Sequence, residues 1–247
     1  MTYAERPGGV AGITVWTSTA DGSSVPVLPD GCMDLIWRDG DLLVAGPDTV
    51  AREHTSAAGT RYAAVRFAPG LAPGALGVPA HALRDQLVPL AAVWSRADAE
   101  RLGDAMAAAA DPALLLDRVA TERLRAADAP SDVVAPVVAL LEAGHPVAAV
   151  ADHVGIGARH LHRLSLTAFG YGPKVLARVL RLQRALALAR GGRPLAATAA
   201  EAGYADQAHL ARDVRALTGR TMGQLMPGPG SGAKRSTPLP SGSRSVA

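Results

Sequence analysis

Arg159, His162 and Arg163 fall within five residues of one another, and Gln207, His209 and Arg212 fall within six further along the chain. A guanidinium can donate two hydrogen bonds to the edge of guanine, and a carboxamide can pair in the same two-point way with adenine. An imidazole can donate to a base acceptor or meet a phosphate. Lys174, between the two clusters, is a compact cation suited to a phosphate. Side chains of these types read a duplex only when rigid helices hold them at its grooves, so the flanking residues decide the matter.

A helix-turn-helix needs a short supporting helix, a tight turn and a second helix with an exposed reading face. The first cluster has these parts: a helix over 146–153, the turn Gly155-Ile-Gly157, and a helix over 158–168. Ala149, Val150 and Val154 are expected to support it. Leu161, Leu164 and Ala168 recur at helical spacing toward the core, which leaves Arg159, His162 and Arg163 outside. The second cluster repeats the pattern: a helix over 194–202, the turn Gly203-Tyr-Ala205, and a helix over 206–217 stopped by Gly219. There Ala199, Ala200 and Tyr204 are the expected support and Leu210, Val214 and Leu217 the inward face, with Arg215 joining Gln207, His209 and Arg212 outside. Pro173 opens a long helix between the units, ending at Gly191-Gly192, and Ser131-Asp132 are expected to cap an apolar helix that stops at Gly144. A helical bundle with a polar surface would share the periodicity. The repeated turn and the repeated basic face, about 47 residues apart, argue for two copies of one device.

The first part of the chain has another rhythm. Short alternating runs over 12–18, 32–37, 42–45 and 61–67, broken by Gly, Pro and Asp, predict strands. From Pro79 the spacing becomes helical, with Asp111-Pro112 opening a helix that runs to Ala126. The fold class is therefore α+β: a sheet domain with helices over 1–128, an all-α domain over 131–226, and a Gly, Pro and Ser-rich tail over 227–247 expected to be disordered. Net charge divides the same way. Residues 1–130 hold 11 Lys/Arg against 16 Asp/Glu, and residues 131–226 hold 11 against 6. The second half is the one suited to a polyanion, and residues 131–226 are expected to fold and bind DNA by themselves.

Other chemistries lack their signatures. One cysteine, Cys32, forms no internal disulfide framework, and between Asp30 and Asp34 in an apolar run it reads as a small buried side chain. His54 and His81 have no metal-ligand spacing, and neither a nucleophile elbow nor a glycine-rich phosphate loop occurs. No catalytic residue, metal or cofactor is expected. Trp16, Trp37 and Trp94 are expected to fill the core of a domain poor in Phe. With no apolar run near 20 residues and no leader-like N-terminus, the chain is expected to be cytoplasmic, with no membrane partner.

Two stretches go further. Ala202-Gly-Tyr-Ala-Asp-Gln-Ala-His-Leu-Ala-Arg-Asp-Val-Arg-Ala-Leu-Thr-Gly219 resembles the second-motif signature of AraC-type transcriptional regulators. Gly157-Ala-Arg-His-Leu-His-Arg-Leu164, with Phe169-Gly-Tyr-Gly-Pro-Lys174, resembles their first motif and the start of their linker helix. The resemblance implies that double-stranded DNA is the partner, and that the two motifs enter successive major-groove segments. Carried over by position, it implies that Arg159, His162 and Arg163 read bases through the first motif, Gln207, His209 and Arg212 through the second, and that Lys174 lies at a phosphate. Met222, where the family usually has proline, and Asp213 and Val214, in place of a basic or aromatic pair, depart from the pattern and leave the second motif less basic. Leu28-Pro-Asp-Gly-Cys-Met-Asp-Leu-Ile-Trp37, with Val65-Arg-Phe-Ala-Pro-Gly70 and Leu76-Gly-Val-Pro79, resembles the cupin-like sensory domain of some such regulators. That implies a small β-barrel or sandwich followed by helices, used for sensing a small-molecule effector or for homodimerisation, with RNA polymerase as a further partner. Two other classes stay open from the residues alone: a ligand-binding or metal-dependent cupin-like enzyme with a helical appendage, and an anti-activator that binds proteins. Salt dependence separates them, because only phosphate contacts release counterions.

Overall fold

The computed structural model describes residues 2–128 and 130–226; the 227–247 tail lies outside the described residues. The chain is α+β. Its first half holds β1 (Thr2–Pro7), β2 (Ile13–Thr19), β3 (Ser24–Val27), β4 (Met33–Arg38), β5 (Asp41–Ala45), β6 (Arg52–Thr55), β7 (Arg61–Phe67) and β8 (Leu87–Pro89). Six of these form an antiparallel sheet ordered β1-β2-β7-β4-β5-β8, and β3 pairs with β6 in a second, two-stranded sheet. The helices of this half are α1 (Ala72–Leu76), α2 (Arg96–Ala108) and α3 (Pro112–Ala126).

Alternation along the strands gives the large sheet two unlike faces. Ile13, Val15, Met33, Leu35, Val65 and Phe67 point to one side and form a core with α1, α2 and α3. Trp16, Asp34 and Arg66 share the other side. There the Trp16 indole donates to Asp34 at 2.8 Å, and Arg66 lies 3.3 Å from Asp34 and 3.6 Å from Asp30. Burial alone would lower the Arg66 pKa; the two carboxylates more than offset that and keep the guanidinium charged. Of the tryptophans, Trp37 and Trp94 are buried in the core as expected, whereas Trp16 is half-buried and stacks between Tyr3 and Tyr62.

The second half is helical: α4 (Val134–Glu142), α5 (Val147–His153), α6 (Ala158–Phe169), α7 (Pro173–Arg190), α8 (Leu195–Ala202), α9 (Gln207–Thr218) and α10 (Met222–Leu225). Neither Ser131 nor Asp132 caps α4; its N-cap is Val133, without a side-chain bond. Two apolar cores sit along α7. Leu176, Val179 and Leu180 belong to one, with Val137, Leu141, Val150 and Leu161. Leu182, Ala185 and Leu186 belong to the other, with Ala199, Tyr204, Leu210, Val214 and Leu217. The long helix is thus a shared beam, about 27 Å over its 18 residues.

The halves meet along that beam and also where α6 packs on the turn Ala80–Leu83, with His81 Nδ1 3.3 Å from the Leu166 carbonyl. Leu28 inserts into the second core, and the Gln183 amide donates to the Pro29 carbonyl at 2.6 Å. A Cβ on Gly31 would lie 3.4 Å from Leu176 and 3.7 Å from the Tyr171 hydroxyl. Ala51 N–H donates to Leu217 O at 2.7 Å, and Arg220 pairs with Glu53 at 2.6 Å. Toward the first core, a Cβ on Gly70 would come within 2.4 Å of a Val134 methyl and 3.1 Å of the Phe169 ring, and the φ of +93° is left-handed, so glycine is what lets these side chains pack on the backbone there. Residues 131–226, expected to stand alone, therefore share buried surface with the sheet domain. No helix among the described residues is long and apolar enough to cross a membrane.

Candidate nucleic-acid interface

Each helix pair in the second half is built around a turn that the sequence makes easy. Between α5 and α6, Gly155 to Gly157 carry the reversal. Between α8 and α9 it falls on Gly203, whose φ of +85° is left-handed backbone that a side chain would strain. The Asp206 side chain then accepts from His209 N–H at 2.6 Å and caps α9. By contrast, α6 and α7 start at Gly157 and Gly172 with no side-chain cap, which leaves first-turn N–H groups free beside Arg159 and Lys174.

The inward faces follow the helical spacing. Leu161 and Ala168 of α6 and Leu210, Val214 and Leu217 of α9 are buried, and Leu164 is half-buried. Two supporting alanines are placed otherwise: Ala149 and Ala200 are exposed, and Ala151 and Ala202 take the buried positions, because the short helices present the adjoining side to α7. The outward face of α6 carries Arg159, His162 and Arg163, all exposed, and that of α9 carries Gln207, Arg212 and Arg215, also exposed. Lys174 is exposed in the first turn of α7. His162 also touches its neighbour: a Cβ on Gly172 would lie 3.1 Å from its Nε2. His209 is half-buried, its ring edge-on to Tyr204 at 5.1 Å, with Nδ1 placed 3.4 Å from Ala205 N. His160 is exposed beside Arg159 as well, and nothing in its spacing distinguishes it from an ordinary surface residue.

Ion pairing separates the cations of the recognition faces from those at the packing surfaces, while Arg184 and Arg190 on α7 are exposed and also unpaired among the described residues. Arg178 and Arg181 reach Asp213, Arg193 reaches Glu201 and Arg220 reaches Glu53. Among the described residues, Arg159, Arg163, Lys174, Arg212 and Arg215 have no carboxylate within 4 Å. Exposed guanidiniums without a partner are already free to meet phosphates and base edges, and no internal ion pair has to break first. Asp213 corrects one expectation. It does not thin the charge of the exposed face of α9, because its side chain is only 8% exposed and turned to α7.

On the sheet side, Cys32 is buried, and its thiol pKa is pushed well above the usual range by burial and by Asp30. That makes it a poor nucleophile and metal ligand. Among the described residues no group of three or more His, Cys, Asp or Glu could hold a metal ion.

Comparison with known proteins follows this division. The model of a family described as a helix-turn-helix domain matches residues 139–226, and that of a family described as a domain of unknown function matches residues 13–89. No curated protein matches the chain. Among solved structures, ToxT from Vibrio cholerae is 8% identical, covering 91% of this chain and 98% of its own, with a TM-score of 0.49. Wild-type ToxT bound to an unsaturated fatty acid is 10% identical, covering 86% and 93%, with a TM-score of 0.48. A probable AraC family transcriptional regulator from Rhodopseudomonas palustris is 27% identical, covering 39% of this chain and all of its own, with a TM-score of 0.33.

Proposed function

We propose, for a chain whose C-terminal half is an AraC-type helix-turn-helix domain and which is a DNA-binding transcriptional regulator, that α6 and α9 enter two successive major-groove segments on one face of the duplex. The observation that carries this reading is the set of exposed, unpaired cations on the outward faces of both helices, with α7 between them. In this reading Arg159, His162 and Arg163 read one segment, and Gln207, His209 and Arg212 read the other, with Arg215 beside them. The two sets present different donor patterns, so one protomer reads an asymmetric element.

Hydroxyl-radical footprinting of the full chain on a site selected from random DNA tests this. The expected result is protection of about 20 base pairs per protomer on one face, in two segments about one helical turn apart. Protection of a single segment would reduce the second motif to a structural part.

Lys174 is read as a phosphate contact, at the uncapped start of α7. Lys174→Ala is therefore expected to weaken specific and random DNA alike, and to flatten the slope of log affinity against log salt by about one unit. An unchanged slope would remove Lys174 from the interface.

Residues 1–128 serve, in the same reading, as the sensing or dimerising unit of a cytoplasmic protein that acts by binding and not by catalysis. A small-molecule effector, a second copy of the chain and RNA polymerase are the partners it implies. A metabolite screen for thermal shift of the full chain tests the first of these, and sedimentation of the full chain the second.

A further inference from the structure

Asp213 stands on α9, next in the chain to the exposed Arg212, yet its own side chain is among the least exposed charged groups of the helical half. One carboxylate oxygen meets Arg178 Nε at 2.5 Å and the other lies 3.5 Å from Arg181. Both arginines come from α7, three residues apart, so one carboxylate is held from two points on the beam. Arg181 also lies over the Tyr204 ring at 4.6 Å, and Tyr204 lies within the turn that leads into α9. Asp213 Oδ2, Arg181 Nε and the Tyr204 hydroxyl are buried beside one another, and Arg181 and Asp213 both act on that hydroxyl, whose pKa is raised chiefly by burial.

That pattern is a poor way to gain stability. A buried carboxylate carries a desolvation cost that its ion pairs only partly offset, and a set of apolar side chains of similar volume in place of all three charged groups would pack there more cheaply. What two-point ionic attachment supplies, and apolar contact does not, is register: it fixes both the rotation of α9 about its own axis and its position along α7. Rotation matters because Arg212 adjoins Asp213. A turn of about 10° swings a guanidinium by roughly 1–2 Å, more than the fit of a bidentate base contact allows.

We infer that Asp213, gripped by Arg178 and Arg181, is a positioning residue that sets the second recognition helix relative to the first and so fixes the spacing of DNA segments the chain accepts. The inference rests on the reading that both motifs dock. It concerns geometry and not contact, because Asp213 faces away from the exposed surface.

The test compares two duplexes, one with the selected site and one with a single base pair inserted between its halves, a displacement of about 3.4 Å and 34°. The unmodified protein is expected to prefer the first by about tenfold or more. Asp213→Leu, which keeps volume and removes the grip, and Asp213→Asn, which keeps shape and removes charge, are expected to reduce that preference to about threefold or less. Both variants should lose some thermal stability, because Arg178 and Arg181 lose their counterion, yet stay folded at the assay temperature and keep the unmodified protein's affinity for a duplex bearing only the first-motif segment. Asp213→Glu is expected to restore part of the preference. Retention of the full preference by both variants overturns the inference, as does failure of both to fold, which would make the carboxylate a stability element. If the unmodified protein itself ignores the insertion, it is the two-segment reading that fails.

Discussion

Replacing Arg163 and Arg212 together with alanine is expected to lower affinity for the selected site by about 2–6 kcal/mol, roughly 30-fold to 20,000-fold. The two arginines stand on α6 and α9, on either side of α7, and share no partner among the described residues, so their losses should add. Each is exposed and has no carboxylate to leave, so the full value of a two-point contact to guanine is available to binding. The loss should also be selective: each single variant relaxes preference at one position of the site, and the double variant relaxes it at two. Titration of the singles and the double against specific and random duplexes gives the result directly. Equal losses on both kinds of DNA would place these arginines at phosphates and return base reading to Gln207 or the histidines.

Phe169→Ala should be the most damaging single change to the helical half, costing about 3–5 kcal/mol against the 5–15 kcal/mol that usually holds a domain together. Phe169 ends α6 and is 1% exposed. It belongs to the core that carries the first motif and lies against Gly70 of the sheet domain. Truncation leaves a void where α6, α4 and the first half converge, and Gly70 has no side chain to refill it. Urea unfolding followed by helical circular dichroism measures the change. A loss below about 1 kcal/mol would mean that the site collapses without strain. Sequence-specific binding should fall in step with the folded fraction, unlike the arginine variants, which should stay fully folded.

The helical half was legible because helical period, glycine turns and caps agree there. The spacing of Leu210, Val214 and Leu217, the Asp206 cap and the Gly203 turn each point to the same α9. Ala149 and Ala200 were placed inside because alanine carries almost no burial signal of its own, and a helix of seven or eight residues leaves the orientation of its apolar side open. On the sheet side β2, β4, β5 and β7 showed in the alternation of their residues. The remaining strands did not, for a physical reason: β1 is an edge whose Thr2, Ala4, Glu5, Arg6 and Pro7 are all exposed, and β3, β6 and β8 are three or four residues long with little burial. A strand without a buried face has no period to read. The inward turn of Asp213 is hidden for the opposite reason. Its charge was visible, but the arginines that hold it lie 32 and 35 residues earlier on another helix, and spacing alone does not say that a carboxylate turns inward to meet them.

The junction under α7 also sets an order of events during synthesis. Gln183 meets Pro29 across 154 residues of chain, and Arg220 meets Glu53 across 167. The helix pairs close through neighbours a few tens of residues apart, and contacts of short separation form first. A ribosome releases the sheet half well before the beam it rests on, so Leu28 must wait in water until α7 and α9 have emerged and packed. By that reasoning the docking of the two halves comes last, and until then Leu28 of the sheet domain lacks the core it is built to enter.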